Sequence, residues 1–304
     1  MKNTDLENRV SRFKKIFNKE DLVHPLIASI KLKSHLFEDI KNSSLAYLSS
    51  VLGEGTKNNF DQVISNFQQA ESGLKNVTPT GMVLPKINTS LEYNLLLRSY
   101  YKALREEYFF EKFSFCHTPA HLRVKWPTVK YADLNRPRHA PEEMHFDSWS
   151  GYSSHGVTLL LGVLGDVENN RVNFYSPNDH FQEKWLIKEH KPQEKELLRC
   201  YSQIDFIPPE GYLVLLDTAV LHQTYREQKA DIRFSIDNIF IPKLGLDSVE
   251  NIEYGRRLEL TDPNLLCNLG SECLYFCDQN EGQIKDSRGG SIDPTSFKFI
   301  SLKG

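Results

Sequence analysis

The sequence predicts a mainly β core with flanking helices, and three observations support this fold class. Apolar residues recur at helical spacing through residues 1 to about 115. From about residue 116 the pattern changes to short runs rich in β-branched and aromatic residues, separated by turn-forming Gly and Pro. A closed double-sheet architecture brings such strands, distant in sequence, together at one opening. We therefore predict a double-stranded β-helix (jelly roll, cupin-like) over 116–304, with a helical N-terminal region at 1–115 that packs on the barrel.

The helical prediction for the first third of the chain depends on two sets of apolar residues at three- and four-residue spacing. The sets are Val10, Phe13, Ile16 and Phe17, and Leu91, Leu95, Leu96 and Tyr100. The polar, glycine-containing segment SSVLGEGTKNN lies between them and indicates a break between helices.

The β prediction depends on six short runs in the rest of the chain. They are HLRVKW, GVTLLLGVL, RVNFYS, IDFIP, YLVLLD and DIRFSIDNIFI. A charged insert at 178–200 interrupts this series of strands. The insert is compatible with a lid, a dimer contact or a solvated excursion, and the last is the commonest role of such segments.

Composition and charge narrow the classes of function. The chain has 304 residues, of which 39% are hydrophobic and 25% charged, as in soluble globular proteins. Its net charge of -3 lacks the basic excess of nucleic-acid-binding proteins, so we expect no DNA or RNA partner. We find no secretory signal peptide and no apolar segment long enough to span a bilayer, and we expect no membrane partner. The five cysteines, an odd number in a large chain, favour reduced thiols and a cytoplasmic location.

His145 and Asp147 lie two positions apart, just ahead of a strongly apolar run. On an extended strand, side chains at i and i+2 project from the same face. An imidazole and a carboxylate so placed are able to supply two of the three ligands of a 2-His-1-carboxylate iron site. A surface hydrogen-bonded pair is the alternative, so the prediction needs a third ligand from elsewhere in the chain.

His222 is the candidate third ligand. Gly211 permits a tight turn, YLVLLD then reads as a buried strand, and His222 follows Asp217 after a short connection. We expect Asp217 to form a turn or a hydrogen bond near His222 and not to act as a catalytic acid.

Arg233 and Ser235 lie on one face of the next predicted strand, and Ile232, Phe234 and Ile236 lie on the other. The apolar face is expected to pack outward on a covering layer, which leaves the arginine and the serine pointing inward. A buried guanidinium needs a partner, and its planar fork suits a carboxylate. The site therefore suits a small dicarboxylate between Arg233 and the metal. An exposed edge strand with a solvated arginine is the alternative.

The order of these elements resembles the iron(II) and 2-oxoglutarate dependent dioxygenases. The elements are H-x-D, a third histidine at the end of a strand, and an arginine eleven residues later within R-x-S. The segment GYLVLLDTAVLH looks most like the phytanoyl-CoA hydroxylase-like branch, which includes bacterial small-molecule biosynthetic oxygenases. The resemblance covers roughly residues 116 to 242.

By that resemblance, His145, Asp147 and His222 would bind Fe(II), and Arg233 with Ser235 would bind the distal carboxylate of 2-oxoglutarate. The family uses 2-oxoglutarate and O2 as cosubstrates and releases succinate and CO2. The halogenases of this family replace the metal-binding carboxylate with a small residue, so the presence of Asp147 favours hydroxylation. The family branch suggests a small polar metabolite as substrate.

Several further residues are weaker candidates, each with a structural alternative. Thr158 would contact 2-oxoglutarate by the resemblance, although threonine is also simply a good strand residue. Arg123 and Lys125 share one strand face and are substrate candidates, but charged side chains on a strand more often face outward. The remaining weak substrate candidates are Trp149, Tyr152, His155 and Arg226, and for His155 a solvent-facing position is favoured.

The sequence leaves three other functions open. One is the same chemistry on a protein residue, another is a barrel that acts as a binding module without turnover, and the third is an iron oxygenase that uses no 2-oxoglutarate. The sequence leaves the prime substrate, the reaction outcome among hydroxylation, desaturation, epimerisation and cyclisation, and the oligomeric state undetermined.

Overall fold

The computed structural model describes most of the chain. It leaves out residues 1–3, 54–58, 71–73, 75–76, 78–80, 84, 86–89, 108, 118–119, 128–143, 244–259, 272, 278–296 and 302–304. Most of the last 60 residues, for which the sequence suggested no role, thus lie outside the described part.

Four helices dominate the described part of the N-terminal third, and two short helices follow later. They are α1 (Thr4–Ile16), α2 (Ser34–Leu52), α3 (Phe60–Ala70), α4 (Ser90–Glu106), α5 (Glu194–Cys200) and α6 (Pro263–Leu266). The predicted helical spacing appears directly in α1, where Phe13 and Ile16 are buried on one side of the helix.

Thirteen strands are described. They are β1 (Leu22–His24), β2 (Ile27–Lys31), β3 (Phe113–His117), β4 (His121–Lys125), β5 (Val157–Gly165), β6 (Asn170–Pro177), β7 (Tyr201–Gln203), β8 (Tyr212–Asp217), β9 (Leu221–Arg226), β10 (Arg233–Pro242), β11 (Leu260–Thr261), β12 (Cys273–Cys277) and β13 (Phe297–Ser301). The strands predicted around 122–125, 157–164, 171–176, 212–217 and 233–241 are confirmed, whereas IDFIP forms none.

The strands form mainly antiparallel sheets. The large sheet has the order β1-β2-β8-β5-β10-β3-β11, and β4 also pairs with β10. A smaller sheet has the order β7-β6-β9, and β12 pairs with β13. This mainly β core with helices agrees with the predicted fold class, while closure into a jelly roll stays a prediction.

The large sheet includes two strands from the region that the sequence predicted as helical. β2 pairs with β8 along its length, with Ile27 opposite Leu216. Residues 22–24 and 27–31 are thus strands within a region that the sequence predicted as mainly helical, and a short apolar run fits a helix and a strand equally well by its spacing alone. The N-terminal region contributes an edge of the same sheet that carries the later strands, and the predicted division near residue 115 stays a prediction.

The two faces of β10 have different partners. Phe234 packs edge-on against Phe67 of α3, and Phe240 packs against Phe109 and Tyr101. The outward packing predicted for Phe234 is thus confirmed. Because side chains alternate along a strand, Arg233, Ser235, Asp237 and Ile239 lie on the opposite side. We call this side of the large sheet the inner face.

The charged insert at 178–200 packs against the rest of the molecule. Phe181, Trp185 and Leu186 are buried, and the backbone carbonyl of Trp185 accepts a hydrogen bond of 2.8 Å from the indole of Trp149. A purely solvated excursion is therefore wrong for this insert, because its aromatic residues belong to the core.

Cys116, Cys200 and Cys267 are buried free thiols, as expected for packing residues. Within the described ranges, no helix combines the length and the apolar character needed to cross a membrane. The cytoplasmic location stays a prediction.

Candidate metal centre

His145 and His222 are held together by their own backbones. Each donates its amide hydrogen to the carbonyl of the other, at 3.1 and 3.2 Å, in an isolated antiparallel bridge. A directly opposed pair of this kind projects both side chains to the same face. The two imidazole rings accordingly lie 4.4 Å apart between centroids.

Asp147 follows the bridge at the start of a short 3-10 turn, Asp147–Ser150, and not within a strand. The prediction of a full strand is thus wrong here, since only His145 is paired. Phe146 nevertheless has an extended backbone, with φ -100° and ψ 142°, so His145 and Asp147 still converge. Asp147 Oδ1 lies 3.6 Å from His222 Nε2, and Oδ2 accepts a 2.6 Å hydrogen bond from Thr158 Oγ1.

The three side chains form a compact donor set. One ligand atom from each of His145, Asp147 and His222 lies within 4.8 Å of the others. His222 is buried, and the other two are half-buried. Two imidazole nitrogens and one carboxylate oxygen on one side of a cation form the facial arrangement that suits Fe(II) and leaves other positions open.

His222 lies near the beginning of β9, whereas the sequence suggested the end of a strand. A turn connects it to β8, and Asp217 shapes this turn by accepting a 2.9 Å hydrogen bond from the backbone of Ala219. The predicted turn-forming role of Asp217 is therefore confirmed. Burial alone would raise the pKa of Asp217, but Arg9 and Arg12 outweigh it and hold the pKa below its ordinary value.

Arg9 of α1 joins three segments around this turn. Its guanidinium donates to Asp217 Oδ1 at 2.6 Å, to the carboxylate of Glu183 in the charged insert, and to the carbonyl of Ser154 at 2.9 Å. No local sequence pattern points to this arginine, because its partners are distant in the chain.

The inner face is organised in rows across β4, β10 and β5. The paired positions are Lys125, Arg233 and Gly165 in one row, Arg123, Ser235 and Gly162 in the next, and His121, Asp237 and Leu160 in the third. Thr158 pairs with Ile239 one row further, beside Asp147. The rows therefore lead from a cationic end to the metal-ligand candidates.

The cationic end contains two buried charges at directly opposed positions. Arg233 and Lys125 are each 5% exposed. Ser235 follows in the next row, opposite Arg123. The sequence favoured an outward orientation for Arg123 and Lys125, and this is wrong, because their register with Ser235 and Arg233 puts all four on the inner face.

Arg123 forms a two-pronged ion pair with Asp237. Its Nε and one terminal nitrogen donate to the two carboxylate oxygens at 2.5 and 3.0 Å. His121 Nδ1 lies 3.8 Å from the same carboxylate. Burial would raise the pKa of Asp237, but Arg123 and then His121 hold it well below its usual range. Sequence reasoning missed Asp237, although it continues the R-x-S alternation by two residues.

His117, at the end of β3, is a second residue that sequence reasoning missed. It is 1% exposed, and neither ring nitrogen has a hydrogen-bond partner. Burial and, to a smaller extent, His121 lower its pKa to about 4, while Asp147 opposes this shift. The ring contacts Tyr152 edge-on, with centroids 5.2 Å apart.

The other predicted substrate residues take different positions. Trp149 is buried and bonded to the insert, which indicates a packing role, and His155 is exposed, in agreement with the solvent-facing alternative. Arg226 donates to the backbone of Trp126 at 2.7 Å, and half-buried Tyr152 contacts His117. Their roles in substrate binding stay predictions.

Comparisons with known proteins give distant similarities only. No family model and no curated protein matches the chain. Among solved structures, it is similar to the non-heme α-ketoglutarate-dependent epimerase SnoN from nogalamycin biosynthesis, with 10% identity over 78% of this chain and 82% of that chain and a TM-score of 0.42. AviO1 from Streptomyces viridochromogenes Tue57 gives 10% identity over 78% and 95% of the two chains, with a TM-score of 0.43.

A third similar structure is an N-substituted L-amino acid dioxygenase from Burkholderia ambifaria AMMD, with 14% identity over 71% and 82% of the two chains and a TM-score of 0.36. Values of this size are too low to transfer a fold or a function. The proposal that follows therefore rests on the side chains of this chain.

Proposed function

We propose that this protein is a non-haem Fe(II) and 2-oxoglutarate dependent dioxygenase that hydroxylates a small polar metabolite. The observation that carries the proposal is the convergence of His145, Asp147 and His222 beside Thr158, on the inner face of the large sheet, whose far end is cationic. A metal site and an anion site joined by a row of inward side chains are what this reaction requires.

The donor set fits the metal. Imidazole nitrogens suit iron, and ligand atoms about 2.0–2.2 Å from a cation lie within a few ångströms of each other, as these three do. Thr158 donates a hydrogen bond to Asp147 Oδ2, and the other carboxylate oxygen, Oδ1, lies 3.6 Å from His222 Nε2. A hydrogen bond of this kind to a ligating carboxylate fixes its orientation.

The cationic end fits the cosubstrate. Arg233 and Lys125 are buried at opposed positions, so an anion at this end of the inner face would be attracted by two positive charges. Arg233 offers a planar fork to a carboxylate, and Ser235 adds a hydroxyl donor from the same face. The fork of Arg123 is taken by Asp237, which makes it a weaker candidate for the distal carboxylate.

The bound iron would supply oxygen activation coupled to oxidative decarboxylation of 2-oxoglutarate to succinate and CO2. The protein's contribution is position and exclusion of water. His145, Asp147 and His222 would hold one face of the metal, and the buried rings of Phe146 and Trp149, packed edge-on with centroids 4.8 Å apart, support the turn that carries Asp147. The carboxylate at position 147 occupies the place that halogenases leave open, so hydroxylation is the proposed outcome.

Anaerobic titration with Fe(II) and then 2-oxoglutarate tests the proposal. We expect the weak visible charge-transfer band of a chelated 2-oxo acid, and succinate on exposure to air. The Asp147→Ala variant serves as the matched negative control. Metal binding without either the band or succinate would support the binding-module alternative instead.

A further inference from the structure

Charge is unevenly distributed along the inner face. The end beside the metal triad, which we call the triad end, has no role in the proposed function so far. The row at one end holds Lys125 and Arg233, and in the middle Arg123 is balanced by Asp237. At the other end, beside the triad, β3 and β4 contribute the imidazoles of His117 and His121, and β5 contributes Thr158, which is bonded to Asp147.

Strand register places His117 at the triad end. Phe240 pairs with Cys116 on one side and with Val157 on the other. The next residues of those two antiparallel strands are His117 and Thr158, which therefore flank Ile239. Neighbouring strands are about 4.8 Å apart, so the Cα atoms of His117 and Thr158 lie about 10 Å apart across the Ile239 side chain.

His117 has the polar atoms of a binding residue without the partners of a structural one. Both ring nitrogens are buried and lack a hydrogen-bond partner, and His121 Nε2 shares this condition. A buried polar group without a partner costs free energy, so native proteins keep very few of them. The nitrogens of His117 and His121, in the neighbouring rows of Ile239 and Asp237, point to a ligand that completes their hydrogen bonds.

The chemistry of these groups limits the ligand. A neutral imidazole offers one N–H donor and one acceptor nitrogen, and a hydroxyl group, which both donates and accepts, is its complement. A ligand carboxylate bound here would meet imidazole rings and not the Arg123 guanidinium, because Asp237 already pairs with Arg123. The low pKa of His117 is consistent with a neutral ring at pH 7.

We propose that His117, with His121 in the neighbouring row, forms a subsite that binds a hydroxyl group of the prime substrate next to the metal triad. This inference rests on the proposed function. The substrate class that follows is an uncharged, hydroxylated compound such as a polyol or a sugar. The charged end of the inner face would then be left to 2-oxoglutarate.

A ligand test with three ring compounds of similar size distinguishes the classes. Zinc(II) replaces iron, so that 2-oxoglutarate binds without turnover. The probes are myo-inositol, cyclohexanecarboxylate and cyclohexylamine, and the readout is the ring nitrogen NMR signals of His117, identified by their loss in His117→Gln. We expect myo-inositol to shift them in the millimolar range, while the signals of exposed His155 stay in place.

Variants measure the contribution of the ring. His117→Phe keeps an aromatic ring but removes both polar atoms, and it should weaken myo-inositol binding about fivefold to tenfold, the loss of one neutral hydrogen bond. His117→Gln keeps a donor and an acceptor and should retain most of the binding. Calorimetry in the same samples should give unchanged affinities for zinc and 2-oxoglutarate.

The outcomes separate this inference from the proposed function. If zinc and 2-oxoglutarate bind but myo-inositol leaves the His117 signals unchanged, the subsite is wrong and the proposed function stands. A shift caused only by the carboxylate or only by the amine also overturns the inference. If zinc does not bind at the triad, the proposed function itself fails.

Discussion

Thr158 Oγ1 lies 2.6 Å from Asp147 Oδ2, and this hydrogen bond joins the centre of the large sheet to the candidate metal ligand. Asp147 has only a short 3-10 turn of its own for support. The orientation of its carboxylate therefore depends on a residue eleven positions later in the chain.

Replacing Thr158 with valine should weaken metal binding. The change keeps the shape of the side chain and removes the donor to Asp147, and loss of a group that orients a metal ligand typically costs about 10–100-fold in affinity. Chelator competition for zinc(II) provides the measurement, with Thr158→Ser as the control that keeps the hydroxyl. Equal affinities in wild type and Thr158→Val would contradict this role.

Replacing Arg233 with alanine should weaken 2-oxoglutarate binding and leave metal binding unchanged. Removal of a charge-assisted hydrogen bond costs about 1.5–3 kcal/mol, or about 10–150-fold in the apparent KM for 2-oxoglutarate. Arg171 is a suitable control position, because it pairs with Glu227 at the surface. A KM that rises equally in Arg171→Ala and Arg233→Ala would argue against a specific carboxylate site.

The pair of Arg123 and Asp237 should couple stability to pH. The folded-state pKa of Asp237 is depressed, so its stabilising contribution is present above the unfolded-state value of about 3.9 and is lost as pH falls below it. Urea unfolding at pH 7 and at about pH 3.5 should show a smaller loss of unfolding free energy in Asp237→Asn than in wild type. A parallel loss in both proteins would refute this coupling.

Removing Arg123 alone should reduce the free energy of unfolding more than removing Arg123 and Asp237 together. Arg123→Leu leaves the half-buried Asp237 carboxylate without its main partner, which should cost about 1.5–3 kcal/mol of unfolding free energy. The double variant Arg123→Leu/Asp237→Leu removes both charges and should recover part of that loss. Additive losses in the double variant would mean that the two side chains do not interact.

Arg9 should be required for the stability of the turn that precedes His222. Arg9→Met removes one of the two arginine partners of the buried Asp217 carboxylate, since Arg12 remains, and also removes the partner of Glu183, with an expected cost of about 1.5–3 kcal/mol. Exposed Lys14 on the same helix offers a matched control as Lys14→Met. Thermal unfolding without added metal measures the effect, and equal midpoints for the two variants would exclude it.

The sequence was sufficient for those features that depend on local spacing. A period of two predicts the strand YLVLLD and the alternation of Arg233, Phe234 and Ser235, and the structure has both. The same period predicts that the side chains of the H-x-D pair converge, which they do. Spacing was insufficient where a turn replaced a strand, as at Asp147.

Other features depend on which strands are neighbours, and spacing does not encode this. The inward orientation of Arg123 depends on its register with Ser235, and the position of His117 depends on the pairing of β3 with β10. Arg9 meets Asp217 only because α1 packs beside the β8–β9 turn. Long-range pairing thus determines the residues that sequence reasoning missed.

The pairing of β2 with β8 has a consequence for folding during synthesis. β2 leaves the ribosome early, but its partner, with Leu216 opposite Ile27, is made only after most of the chain. Until β8 is made, the apolar segment of β2 has no strand to pair with its backbone groups. Exposed strands of this kind favour association between chains. We expect heterologous production to be sensitive to translation speed and temperature, and a chain shortened to begin after Lys31 to aggregate along the uncovered edge of β8.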